Sequence, residues 1–251
     1  VLATATATAA KPAARPKAAP AAARPAVTRD WAYEGERGPQ AWGRLHPDYV
    51  SCDKGQRQSP IDLRGGISVD METIRFEHQP GAFRVVDTGR TVEVRVAPGN
   101  ALTVGGRRYE LQHFHFRRPS EVRIEGRQFA MDVQLVHRSE DGRVAIVAVP
   151  LEEGPAHPAV QQVWNHLPLE KHEEQLAPVP LDPGALLPED RRYYAYMGSL
   201  TTPPCTEGVL WLVMQQPRTL SPAQQAIFAH LHPMNARPLQ TASGRLIKGS
   251  N

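Results

Sequence analysis

Polar and apolar positions alternate in short runs at several places along the chain, the period of strands that bury one face. The clearest case is Phe83 to Val96, FRVVDTGRTVEVRV, where two alternating runs meet at Asp87 to Arg90, a hairpin both in pattern and in turn chemistry. Arg143 to Leu151, RVAIVAVPL, is apolar almost throughout and reads as a buried strand. Helical signals are short. His157 to Leu167 and Glu170 to Leu176 each read as a short helix, with Pro168 between them. Ser221-Pro222-Ala223-Gln224 supplies an N-cap, a first-turn proline and a capping-box glutamine, so a helix is expected to about His230.

Tyr109 to His137, YELQHFHFRRPSEVRIEGRQFAMDVQLVH, reads as two strands. On a regular strand Leu111, His113, His115 and Arg117 share one face, and Gln112, Phe114 and Phe116 share the other. Two histidines one residue apart can grip one metal ion, and the same pair also suits a solvated polar face.

At 251 residues and 41% hydrophobic content, the chain can bury one substantial core. Its net charge of +3 is unevenly placed. Lys11, Arg15, Lys17, Arg24 and Arg29 lie in the first 29 residues, which hold no acid, and this leaves −2 for the remainder. The body therefore offers no basic surface for nucleic acid. Residues 1–29 are rich in Ala, Pro and Thr, with prolines at 12, 16, 20 and 25, and read as an extended tether: a plain spacer, or a tail that orders against a partner. The globular domain is expected over residues 30–251. The chain begins at Val1, as a processed protein would, and no apolar run approaches the ~18 residues a membrane span needs.

Five segments carry a shared pattern. Trp31 to Trp42 reads W-x-Y-x-G-x-x-G-P-x-x-W, Gln58 to Asp62 reads QSPID, Gly198 to Trp211 reads GSLTTPPC-x-EGV-x-W, and Asn235 to Gln240 reads N-x-R-P-x-Q. The fifth, Tyr109 to His137, aligns without a gap on YxLxQFHFHxPSEH followed by MEAHLVH. Together they resemble the bacterial α-type carbonic anhydrases from residue 30 to about 248. The resemblance implies an α+β, mostly β fold with a central twisted, largely antiparallel sheet and short peripheral helices.

In that family three histidines hold a catalytic zinc that lowers the pKa of a bound water to ~7, carbonic anhydrase being the standard example of this effect. Carried over residue by residue, the ligand positions are His115, Arg117 and Gln134. A guanidinium offers no lone pair to a cation, and an amide oxygen is a poor zinc ligand. A register slipped by two, with His113 and His115 as the pair, would lengthen the loop to Glu121. It would still lack a third ligand, because His137 faces away from Gln134. The resemblance further implies that Tyr33 lies near the catalytic solvent network and that Arg90 stands at a proton-relaying histidine position. It makes Thr201 and Glu121 the hydrogen-bonded pair that orients the nucleophile, and places Val136, Ile146, Leu200, Thr202 and Trp211 around the apolar substrate pocket. Cys52 and Cys205 fall where the family forms a disulfide. Such a bond stabilises by ~4 kcal/mol and implies a periplasmic or secreted protein; two unrelated thiols are the alternative.

The expectation drawn from the altered ligands is a protein with no zinc and no cofactor, showing no meaningful carbon dioxide hydration. It would be a catalytically inactive homologue, a pseudoenzyme acting as scaffold or binding subunit among other proteins of a periplasmic or cell-envelope complex, docked through residues 1–29. Arg117 would either pair with Glu121 or bind a small anion such as bicarbonate. The alternative functions are a small-anion binding protein and a zinc carbonic anhydrase with a rearranged site.

Overall fold

The computed structural model describes residues 29–251, so the expected tail lies, apart from Arg29, outside the described residues. Phe83–Asp87 and Val92–Val96 pair antiparallel across a turn closed by Thr88 N donating to Thr91 O. From this hairpin the main sheet extends through Arg107–Arg117, Met131–Arg138, Val144–Glu153, Glu207–Met214, Tyr193–Ser199 and Lys248–Ser250 to Ile67–Val69. Along this path the pairings are antiparallel except Val144–Glu153 with Glu207–Met214 and Lys248–Ser250 with Ile67–Val69. The sheet is therefore mixed.

Strand alternation sorts the side chains onto two faces. Phe114, Phe116, Val133, Leu135, Val147 and Val149 bury the main core. Against it lie the helices Pro158–Trp164 and Pro222–Leu231, with Trp164 4.7 Å from Phe116 and stacked on Phe228 at 5.8 Å. The second helix carries the expected capping box, Ser221 Oγ accepting from Gln224 N. The opposite face presents Ile146, Ala148, Trp211 and Val213 as a second apolar cluster, joined by Val136 and Leu200.

Two local expectations are corrected. Glu170 to Leu176 is not a helix: His172 has φ of 68°, which no right-handed helix tolerates, and Glu174–Leu176 pairs instead as an edge strand with Phe83–Asp87. Glu174 is held there by Arg84 at 3.3 Å and Arg95 at 3.2 Å. Nor does Leu111 share a face with His113. The pairing steps from Val136↔His113 to His137↔Leu111, so Gln112 bulges, and Leu111 turns into the core beside Phe114 and Phe116.

Cys52 and Cys205 form the expected disulfide, with Cα atoms 5.0 Å apart across 153 residues of sequence. It ties the N-terminal turns that bury Trp42 and Tyr49 to the loop after Tyr193–Ser199.

Candidate active site

The bulge at Gln112 leaves His113, His115 and Arg117 on the face of the second apolar cluster, where the neighbouring strand adds its own row. Gln134 lies directly across from His115, Asp132 across from Arg117, and Val136 across from His113. His115, Arg117, Gln134, Asp132 and Glu121 are all buried. The ladder places His115, Arg117 and Gln134 on one face, and His137 points the other way, its ring stacked near His78.

Arg117 is a charge inserted into this buried face. Its Nη1 donates to Tyr33 Oη at 2.7 Å and to Asn235 O at 3.5 Å, and its Nε lies 3.6 Å from Glu121 Oε2. Burial opposes the charge, but Tyr33, Glu121 and Asp132 outweigh it and raise the guanidinium pKa above its ordinary value. Gln134 knits the carboxylates: its Nε2 donates to Glu121 Oε2 at 2.9 Å and to Asp132 Oδ1 at 3.0 Å. Glu121 Oε1 accepts from Arg237 N at 2.8 Å, and Asp132 Oδ2 accepts from Ser120 Oγ at 2.8 Å and Glu121 N at 2.5 Å. Burial, reinforced by the Glu121 charge, pushes the Asp132 carboxyl up to about 7. Burial, with the charge of Arg117 and then His113 adding, holds His115 well below the ordinary imidazole value. His115 is therefore neutral at neutral pH.

Among the described residues the expected bond between Thr201 and Glu121 is not formed; Glu121 takes Gln134 on Oε2 and the Arg237 amide on Oε1. Arg90 does not reach inward either. Its guanidinium lies over Trp31 at 4.3 Å and bonds Asp30 at 3.0 Å. Tyr33 does enter the site, as the acceptor for Arg117. Of the residues expected around the pocket, Val136 pairs with Ile146 and Ile146 with Trp211, Leu200 packs alongside and Thr202 is partly exposed.

Does this set suit the family's zinc? Among the described residues no three His, Cys, Asp or Glu side chains are grouped to hold a metal ion. At the inferred positions only His115 offers a nitrogen lone pair, and Arg117 brings a positive charge that repels a cation. The residues do not fit a three-histidine zinc.

Sequence reasoning missed Asp132, Asn235 and Arg237. Asn235 Oδ1 accepts from Arg118 N at 2.7 Å, its Nδ2 donates to Arg90 O and Phe116 O, and its carbonyl meets Arg117. Arg237 bonds Gln58, Ser59 and Cys52 through its guanidinium while its backbone holds Glu121. The signal was present in the N-x-R-P pattern and in the acid two residues before Gln134.

The structure is thus a mixed twisted sheet bearing a buried polar cluster beside an apolar wall. The family model for eukaryotic-type carbonic anhydrase matches residues 37–251. A carbonic anhydrase of Pectobacterium carotovorum is 38% identical over 218 residues, covering 86% of this chain and 89% of that protein. One from Nostoc sp. is 38% identical over 228 residues, covering 88% and 86%. The solved α-carbonic anhydrase of Photobacterium profundum superposes with a TM-score of 0.83 at 36% identity, covering 87% of this chain and all of that one. The chain belongs to the carbonic anhydrase family. These relatives overturn the expectation of a catalytically inactive protein: chains this similar over most of their length are named as the enzyme. The replaced histidines concern how zinc could be held, and are not themselves evidence of inactivity.

Proposed function

We propose that the chain works as a carbonic anhydrase with a rearranged site, interconverting carbon dioxide and bicarbonate. The observation that carries this reading is the cross-strand row Val136, Ile146, Trp211 running out from His113, next to the row that holds His115 and Gln134. An apolar wall beside a neutral imidazole and a fixed cation suits an apolar substrate that becomes an anion.

In the proposed reaction, carbon dioxide rests against the wall. A water molecule attacks its carbon, forming the C–O bond, while one water proton passes to His115 and then to solvent. The guanidinium of Arg117 faces the negative charge that develops on the product, and in a buried site such a charge stabilises the transition state strongly. The Cys52–Cys205 disulfide supports a periplasmic or secreted location for this chemistry.

Stopped-flow hydration of carbon dioxide by the full chain tests the reading. A rate above the uncatalysed background that falls in His115→Ala is expected; a background rate from folded, disulfide-bonded protein would overturn it.

A further inference from the structure

Arg117 is unusual as a buried cation because most of its donors are idle. A guanidinium carries five N–H groups. Among the described residues only Nη1 makes hydrogen bonds, one of them at 3.5 Å. Nε is buried with no hydrogen-bond partner, since Glu121 at 3.6 Å is too distant, and Nη2 makes none. Glu121 does not depend on the guanidinium for its own hydrogen bonds, which come from Gln134 and the Arg237 amide. Two positions away on the same strand face, His115 Nε2 is likewise buried without a partner. Buried polar atoms in native proteins are nearly always paired with protein, water or ligand, so two neighbouring side chains with open groups point to something bound between them.

The chemistry of the open groups selects the class of ligand. Arg117 asks for an acceptor with negative charge, ideally a planar oxyanion that can take two N–H groups at once. In the tautomer that carries its proton on Nδ1, the open Nε2 of His115 asks for a donor. Bicarbonate offers both, a carboxylate-like pair of oxygens and a hydroxyl. Formate offers the oxygens without the hydroxyl, and nitrate likewise. A zinc ion satisfies His115 alone and is repelled by Arg117.

We propose that Arg117 stands in for the metal as the cation of this site and seats bicarbonate without zinc, with the hydroxyl of the anion on His115. This rests on the carbon dioxide–bicarbonate reading above and can fail separately from it.

The experiment is a titration of chelator-treated, disulfide-intact full chain with ¹³C-bicarbonate, followed by NMR of the labelled carbon and of the histidine rings. Zinc content is measured on the same sample. The variant is Arg117→Met with Glu121→Gln, which removes both members of the ion pair together. A second variant, Arg117→Lys, keeps the charge and removes the planar fork. Saturable bicarbonate binding to zinc-free protein supports the proposal if it is weakened at least tenfold in the double variant and intermediate in the lysine variant, with formate and nitrate binding less tightly than bicarbonate. Three results would overturn it: no saturable binding, binding unchanged in the double variant, or zinc near one equivalent with binding lost to chelator. Hydration that persists in zinc-free protein showing no saturable bicarbonate binding would sink this inference while leaving the proposed reaction standing. Zinc-free bicarbonate binding without hydration would do the reverse.

Discussion

Replacing Arg117 by Met probes the buried network at its most exposed energetic point. Arg117 and Glu121 face each other at 3.6 Å with side-chain exposures of 5% and 1%, so neither charge is compensated by bulk water. Removing one partner of such a pair costs about 3–5 kcal/mol, because the other is left buried and uncompensated. Tyr33 also loses the donor to its hydroxyl. The double variant Arg117→Met, Glu121→Gln removes both members of the pair together, leaving Asp132 as the remaining buried carboxyl. It is expected to be more stable than the sum of the single losses by about 2–3 kcal/mol, within the range of coupling seen between residues in contact. The assay is urea unfolding of the oxidised full chain at pH 7, with midpoints compared at a common slope. A single-variant loss below about 1 kcal/mol, or strictly additive losses, would show that Arg117 and Glu121 do not hold each other and that the site has been misread.

Acid should weaken the fold through its buried histidines. Burial and the nearby His78 hold His137 at about 3, below its ordinary 6.5, so the unfolded chain takes up a proton that the folded chain refuses. Stability is then full above pH 6.5 and falls as pH drops toward 3, by about 1.4 kcal/mol per unit for this one group, or about 2 kcal/mol by pH 5. His137→Gln should flatten the pH dependence of the unfolding midpoint over that window, and an unchanged slope would refute the assignment. His78 and His157, each lowered to about 4 chiefly by burial, act in the same direction. Opening the Cys52–Cys205 bond by Cys52→Ser with Cys205→Ser should cost about 2–5 kcal/mol, and a thiol assay on unfolded, unreduced wild-type chain should find no free thiol. Tyr33→Phe removes the acceptor 2.7 Å from Arg117 and should cost about 1–3 kcal/mol in the same urea assay, the range for stranding a buried donor.

Strand alternation made the architecture legible, because the period-2 runs from Phe83 to Val96 and Arg143 to Leu151 are forced onto a sheet by their buried face. The capping box at Ser221 marked its helix start for the same local reason. What failed was non-local. Leu111 sits one bulge away from the pattern that the sequence suggests, and a bulge is set by the partner strand. Glu174 to Leu176 reads as helix on composition, yet an unpaired sheet edge and the cations Arg84 and Arg95 decide its state. In the site, the positions of His115, Arg117 and Gln134 followed from an ungapped alignment. Their partners could not: Asn235 and the Arg237 amide approach from more than a hundred residues away. The step from changed ligands to lost activity failed for a different reason, since ligand identity speaks to metal binding and relatives named as the enzyme speak to the reaction.

Carbon dioxide hydration by chelator-treated, disulfide-intact full chain, with zinc content determined on the same sample, tests the account most directly. A rate above the uncatalysed background, insensitive to chelator and reduced in His115→Ala, is expected. A background rate from a folded protein would contradict it.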